Sequence, residues 1–176
     1  MLKLNRNYFT ARTIATMGLL MALQMILTRF LAIQLPFLRI SFSFIPTVMM
    51  GLLFGPLLAG VGTTLADFIG ITLFPVTGSY FPGFSVSAFL TGAIYGLFFH
   101  KRDISWRSAF ISNLLIMVII DIILNTLWLY LMMGPVAIAN LPLRIGKALL
   151  QFPVNVFLTY HTCRTLLYQR GSLRIL

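Results

Sequence analysis

Residues 108–133 read SAFISNLLIMVIIDIILNTLWLYLMM, an apolar run in which Asp121 is the only charged side chain. A transmembrane helix needs roughly 20 consecutive apolar residues, so this run is long enough to cross a membrane. The whole chain agrees, because 59% of its residues are hydrophobic and only 9% are charged, whereas about a quarter of a soluble domain is charged. The sequence therefore predicts an all-α integral membrane protein.

Prolines and glycines divide the chain into helices of one compact domain, residues 1–176. Pro36 and Pro75 each end an apolar run, because proline cannot continue the helical hydrogen-bond ladder. Gly55-Pro56 marks a turn between two further apolar segments. We predict six transmembrane helices, at residues 11–35, 40–54, 57–74, 84–99, 108–133 and 143–168.

The distribution of Lys and Arg predicts which side of the membrane each end faces, because cytoplasmic segments collect these residues. Most of the 13 Lys and Arg fall before the first helix, in the turn at 100–107 or near the end of the sixth helix, which places both termini in the cytoplasm. The others lie near predicted outer helix ends: Arg29, Arg39, Arg144 and Lys147. This surplus of outer cations suits an anionic ligand.

Two of the 3 acidic residues, Asp67 and Asp121, lie inside apolar runs, where a carboxylate is costly to hold and indicates a site. Helical periodicity gives two helices a polar face each, formed by Asn113, Asp121, Asn125 and Trp128 on the fifth and by Arg144, Lys147, Gln151 and Asn155 on the sixth. With Asp67 on the third helix, these faces predict one outward-facing cavity. Alternatively, Asp67 or Asp121 is only neutralised by Arg144 or Lys147 within the bundle.

Aromatic residues lie beside the predicted cavity. Tyr80, Phe81 and Phe84 belong to the loop before the fourth helix, and Trp128 is in register with Asp121 and Asn125. Aromatic faces offer a large contact area at low entropic cost, so these side chains can sandwich a flat ring. The alternative is an aromatic belt at the membrane interface.

Small residues recur at intervals that let helix backbones approach closely in a membrane. On the third and fourth helices the patterns Gly62-x-x-x-Ala66-x-x-x-Gly70 and Ala88-x-x-x-Gly92-x-x-x-Gly96 predict packing inside the bundle. On the first helix the small residues predict a surface for another membrane protein, with packing inside the bundle as the alternative. They are Ala11, Ala15, Gly18 and Ala22.

Signals for enzymatic or nucleic-acid function are missing from the sequence. Gly146-Lys147 is followed by Ala148 and does not belong to a nucleotide-binding loop, so we predict no intrinsic ATPase. His100 and His161 have no second ligand at metal-binding spacing, so we predict no catalytic residue, no metal and no cofactor. The net charge of +10 reflects membrane topology in this chain, so no nucleic-acid partner is expected.

The stretch RISFSFIP at residues 39–46, continued by Phe54-Gly55-Pro56 and by Asp67, resembles the substrate-binding S components of energy-coupling-factor (ECF) vitamin transporters. Together with YFPGF at residues 80–84, it is most similar to the folate branch of that family. The resemblance implies a multi-pass protein of the prokaryotic plasma membrane that binds its vitamin at the outer face. It also implies a transmembrane coupling subunit, two cytoplasmic ATPase subunits and delivery of the vitamin by reorientation of the protein in the membrane.

Folate has a flat pterin ring with N–H donors and a glutamate tail with two carboxylates. Under the resemblance, the pterin ring is expected near Asp121, Asn125 and Trp128, with Asp67 as the other candidate acid. The tail is expected to meet some of Arg29, Arg144 and Lys147, with Gln151 also in the site and with Arg29 or Arg39 as a gate.

Other functions stay open at this stage. Riboflavin, pantothenate or thiamine are alternative vitamins, although thiamine would prefer a site dominated by acids. A small intramembrane enzyme with Asp67 or Asp121 as general base is the alternative from a different class.

Overall fold

The computed structural model describes residues 10–35, 38–74 and 81–172, and the side chains of residues 10–32, 41–74 and 81–168. Within these ranges the fold is helical, as predicted, with one short antiparallel hairpin that pairs Ile33 with Ile40. The elements are α1 (Ala11–Arg29), β1 (Ile33–Leu35), β2 (Leu38–Ile40), α2 (Phe44–Phe54), α3 (Pro56–Leu73), α4 (Pro82–Phe99), α5 (Trp106–Met133), α6 (Val136–Ala139) and α7 (Leu141–Ser172).

The hairpin corrects the predicted end of the first helix. The helix ends at Arg29, and the chain from Ile33 to Leu35 is an extended strand rather than two further helical turns. The reason lies in Pro36, which the sequence predicts as the end of the helix. Because proline disfavours helical geometry in the residue before it, the segment that leads to Pro36 is extended, and the helix ends earlier.

The described helices number seven rather than six. The additional one is α6, Val136–Ala139, which follows the turn at Gly134 and Pro135. Four helices are long and apolar enough to cross a membrane, namely α1, α3, α4 and α5, whereas α2 has only 11 residues. These four helices support the prediction that the chain is a membrane protein.

Glycines let α2, α3 and α4 approach to backbone contact, which confirms the predicted packing role of Gly92 and Gly96 on α4. A Cβ on Gly96 would lie 2.4 Å from the Cα of Pro56, and a Cβ on Gly92 would lie 2.6 Å from the carbonyl oxygen of Ala59. A Cβ on Gly51 would lie 2.8 Å from the backbone nitrogen of Gly96. No larger residue fits at these crossings, so the three helices form a closely packed unit.

The helix α5 is not uniform along its length. It is α-helical at Trp106–Leu115, π-helical at Ile116–Leu124 and α-helical again at Asn125–Met133. Asn113, the first residue of the predicted polar face, lies in the bundle interior, as predicted. Its side chain accepts a hydrogen bond from Tyr95 Oη at 2.9 Å and donates to the Ala109 carbonyl at 2.8 Å, so it belongs to the buried core.

The bundle has two different ends. The end that carries the hairpin is called the hairpin end, and there the C-terminal parts of α1, α3 and α5 lie near the N-terminal parts of α4 and α7. At the opposite end the ring of His100 packs beside Gly55, and its Nδ1 lies 3.2 Å from the Leu52 carbonyl oxygen. The predicted ligand-binding residues whose side chains the structure describes fall at the hairpin end.

Candidate binding site at the hairpin end

Asp121 lies at the centre of a polar cluster between α5 and α7. Its carboxylate Oδ1 accepts a hydrogen bond from Asn125 Nδ2 at 3.4 Å. Arg144, on the first turn of α7, donates from Nη2 to the Asp121 carbonyl at 2.8 Å and from Nη1 to Thr126 Oγ1 at 2.7 Å. The structure thus brings together Asp121, Asn125 and Arg144, as the two predicted polar faces required.

A second cation adds to this cluster. Lys147 lies three residues after Arg144 on the same helix, and both side chains attract the Asp121 carboxylate. All three side chains are half-buried, so water screens their interaction only in part. The cluster therefore carries more positive than negative charge, as a site for an anionic group requires. The alternative, in which Arg144 or Lys147 only neutralises Asp121 within the bundle, stays a prediction.

Three of the predicted aromatic residues form one wall beside the cluster. The Phe81 and Trp128 rings have centroids 5.8 Å apart, and Phe84 meets Phe81 edge to face at 6.2 Å. Trp128 Nε1 donates to Ser87 Oγ at 3.1 Å, which fixes the indole. Gly83 makes room for it, because a Cβ there would lie 2.4 Å from Trp128 Cδ2. Tyr80 falls at 75–80, outside the described residues.

Amide side chains on α5 and α7 present oxygens without donors. Gln151 Nε2 donates to the Ser41 carbonyl at 3.4 Å, which ties α7 to the chain just after the hairpin. Its own Oε1 is buried, and so are Asn125 Oδ1 and Asn155 Oδ1. None of these three oxygens has a hydrogen-bond partner among the described residues. A buried acceptor without a donor is costly, so these oxygens are ready to receive N–H groups.

The other intramembrane acid, Asp67, belongs to a different pair of helices. Its Oδ1 lies 3.7 Å from Nη2 of Arg29 at the end of α1, and both side chains are mostly buried, with 13% and 7% exposed. Gly70 allows this approach, because a Cβ there would lie 3.2 Å from Arg29 Nε. The prediction that Arg144 or Lys147 neutralises Asp67 missed this partner. Arg29 therefore has a counter-charge on α3, while its Nε and Nη2 are buried without a hydrogen-bond partner among the described residues.

The remaining predicted residues lie in α1 and in the hairpin. Ala11, Ala15, Gly18 and Ala22 are all exposed on one face of α1, and a Cβ on Gly18 would meet no atom within 4 Å. The face is thus open to a partner, and its docking role stays a prediction. Arg39 lies on β2, and its side chain is outside the described residues, so its gate role also stays a prediction.

Three residues of the site were missed in the sequence, and each holds a predicted residue in place. Ser87 bonds to Trp128, Thr126 bonds to Arg144, and Ser41 bonds to Gln151 through its carbonyl. Ser41 also donates from Oγ to the Leu27 carbonyl at 3.0 Å and accepts from the Ser43 N–H, which links the end of α1 to the start of α2. Small hydroxyl residues are common in membrane helices, so only their contacts distinguish these three.

Comparison with known proteins gives a consistent result. The family model described as "ECF transporter, substrate-specific component" matches residues 12–162. A protein of Clostridium novyi named folate transporter FolT is 38% identical over 144 residues, which cover 82% of this chain and 83% of that protein. A protein of the same name from Leuconostoc mesenteroides is 32% identical over 155 residues, covering 85% and 83%.

A solved structure is also similar. The crystal structure of FolT bound with folic acid superposes with a TM-score of 0.84 at 44% sequence identity, and the match covers 89% of this chain and 94% of that one. A match of this quality over nearly the full length of both chains extends the similarity from the sequence to the arrangement of the helices.

Proposed function

We propose that this chain, which belongs to the family of ECF transporter substrate-specific components, captures folate at the hairpin end and delivers it across the membrane. The observation that carries the proposal is the combination found beside Asp121. An acid and buried amide oxygens occur together with an aromatic wall and two cations. The likeness to FolT bound with folic acid supports the same ligand.

The pterin ring would occupy the part of the site formed by Asp121, Asn125 and the aromatic wall. A pterin presents N–H donors along one edge, and a carboxylate can accept two of them side by side. Asn125 Oδ1 and Gln151 Oε1 are buried acceptors that would receive further donors. Phe81 and Trp128 supply the flat apolar faces, and Phe84 and Tyr80 extend them.

The glutamate tail would lie toward the cations. Of the three cations predicted for it, Arg29 is paired with Asp67, and Arg144 already donates from both terminal nitrogens to α5. We assign a tail carboxylate to Lys147 because its charge and that of Arg144 both lie beside Asp121, where they give the site its positive charge. Arg29, at the end of α1, and Arg39, in the hairpin, are the candidates for a gate over the site.

The rest of the transport cycle belongs to the proposal as well. The chain would be a single domain, residues 1–176, with six spans in a prokaryotic plasma membrane and both termini in the cytoplasm. It would carry no ATPase of its own and would depend on a transmembrane coupling subunit and two cytoplasmic ATPase subunits. The exposed face of α1 with Ala11, Ala15, Gly18 and Ala22 is our candidate for the contact with the coupling subunit.

Calorimetric titration of the purified full-length protein with folic acid tests this function. The Asp121→Asn variant keeps the size of the side chain and removes its charge, so we expect its affinity to fall about tenfold or more. Asp103→Asn is the matched control, because Asp103 is exposed in the turn after α4. A wild-type protein that binds no folate, while another vitamin copurifies with it, would reassign the substrate.

A further inference from the structure

The helix α5 changes its hydrogen-bond pattern at the acid of the site. The π-helical section Ile116–Leu124 ends where the Asn125 N–H donates to the Ile120 carbonyl, five residues back. From Asn125 onward the helix is α-helical. π-Helices make up well under 1% of residues in globular proteins and are frequent at functional sites. The position of this one, with Asp121 inside it and Asn125 at its end, therefore has a consequence for the site.

Where a helix changes from the π to the α hydrogen-bond pattern, one backbone carbonyl receives no N–H from the helix. In a π-helix each N–H reaches back five residues and in an α-helix four, so one acceptor in the series is skipped at the junction. The next carbonyl after Ile120 is that of Asp121, and it is the one that accepts Arg144 Nη2 at 2.8 Å. An unpaired backbone carbonyl in a membrane costs several kcal/mol. Arg144 therefore supplies the donor that the backbone does not.

The same guanidinium makes a second bond on the other side of the junction. Arg144 Nη1 donates to Thr126 Oγ1 at 2.7 Å, so the two bonds enclose Asn125. A guanidinium is a planar and preorganised fork, which fixes the rotation of the groups that it bridges. The rotation of α5 at this point decides where the Asp121 carboxylate and the Asn125 amide point.

We propose that Arg144 is a positioning residue, which completes the π-to-α junction of α5 and so directs Asp121 and Asn125 toward the ring of the ligand. The inference rests on the proposed function for the identity of that ligand. It assigns Arg144 to recognition of the neutral ring, although its charge alone would assign it to the anionic tail. Loss of Arg144 must then weaken the ligand whether or not the tail is charged.

The test compares folic acid with its dimethyl ester, in which both tail carboxylates are neutral, by titration of the full-length protein in detergent. In Arg144→Gln we expect both ligands to bind about tenfold more weakly or worse, by the same factor. Lys147→Gln is the comparison variant, and it should weaken folic acid by a clearly larger factor than the ester, because only folic acid carries the tail charge that Lys147 would meet. If Arg144→Gln weakens folic acid alone, Arg144 is a tail ligand and the proposal is overturned.

A second variant keeps the charge of Arg144 in place. Thr126→Val is nearly isosteric and removes only the acceptor of the Nη1 bond, so we expect it to weaken both ligands by a smaller, equal factor. If instead Thr126→Val binds both ligands as tightly as the wild type, the two bonds do not set the site and the proposal fails.

Amide hydrogen exchange gives a readout that needs no ligand. We expect Arg144→Gln to raise exchange at residues 116–126 and Lys147→Gln to leave it unchanged. Equal exchange in all three proteins would overturn the role of Arg144 at the junction, whatever the ligand is. A wild-type protein that binds neither folic acid nor the ester would remove the proposed function, and the exchange result would still decide the junction.

Discussion

The two intramembrane acids of this chain are similar in sequence and opposite in their surroundings. Asp67 lies in a regular stretch of α3, and its Oδ1 lies 3.7 Å from Arg29 Nη2, with Gly70 making room for the pair. Asp121 lies in the π-helical section of α5, with two cations and an amide beside it. A balanced pair holds two helices together, whereas the excess of cations and acceptors around Asp121 leaves capacity for a ligand.

This difference shows that burial of a charge alone does not mark a binding site. An isolated intramembrane carboxylate is costly in either place, and both acids have a cation nearby. What separates them is the kind of buried group that lacks a partner among the described residues, which is a donor of Arg29 beside Asp67 and an amide oxygen beside Asp121. The Asp121 region contains buried amide oxygens that no described residue satisfies, and those oxygens point to a partner from outside the chain.

The largest effect is expected at the balanced pair. Asp67→Asn leaves the Arg29 guanidinium buried without its counter-charge, and arginine cannot lose its proton to escape the cost. Removal of one partner of a buried ion pair costs about 3–5 kcal/mol of stability. We therefore expect a much lower midpoint of thermal unfolding in detergent, measured by intrinsic fluorescence, for Asp67→Asn than for the exposed control Asp103→Asn.

The double variant Asp67→Leu with Arg29→Met sharpens this result. It removes both charges and keeps apolar bulk, so we expect it to regain most of the lost stability, because an apolar replacement of a buried pair is often neutral. An Asp67→Asn protein that unfolds at the wild-type temperature would show that the pair does not hold α1 against α3.

An intermediate effect is expected at the aromatic wall of the ligand site. In Gly83→Ala the new Cβ would lie 2.4 Å from Trp128 Cδ2, so the indole has to move. Overpacking of this kind typically costs about 1–3 kcal/mol, and here we also expect weaker folate binding because the wall is displaced. Calorimetry and thermal unfolding measure the two losses.

Gly146→Ala is the matched control for the wall. A Cβ there meets no atom within 4 Å, and alanine favours a helix over glycine by up to about 1 kcal/mol, so this variant should be as stable as the wild type or more stable. If Gly83→Ala and Gly146→Ala behave alike in stability and binding, Gly83 does not hold the Trp128 wall in place.

Sequence patterns were sufficient to predict much of the fold and the grouping of residues around Asp121. Prolines and glycines located the helices, and small-residue spacing identified the close crossings at Gly92 and Gly96, because these signals depend on local backbone chemistry. The 3.6-residue period also grouped Asp121, Asn125 and Trp128 on one side of α5, since they lie within about two turns of one another.

The failures have physical reasons of two kinds. The π-helical section of α5 was not predicted, because no local pattern in an apolar run indicates such a section. The pairing of Asp67 with Arg29 depends on which helices are neighbours, and the charges alone allowed Arg144 or Lys147 equally. The strand Ile33–Leu35 was not predicted, because an apolar strand before a proline resembles the end of an apolar helix.

The smallest effect is expected at the hydrogen bond that orients the wall. Ser87→Ala removes the acceptor of Trp128 Nε1 and leaves a buried N–H without a partner, which costs about 1–3 kcal/mol if the indole stays in place and less if it rotates to find another acceptor. Because Gly83 and Phe81 already confine the ring, we expect at most a few-fold loss of folate affinity and a shift in tryptophan emission. Ser85→Ala, two residues earlier on α4, is the comparison for the loss of a hydroxyl that does not bond to Trp128. An affinity loss in Ser87→Ala as large as that in Asp121→Asn would mean that ring orientation, rather than the acid, dominates recognition, and the contrast between the two acids would then need another explanation.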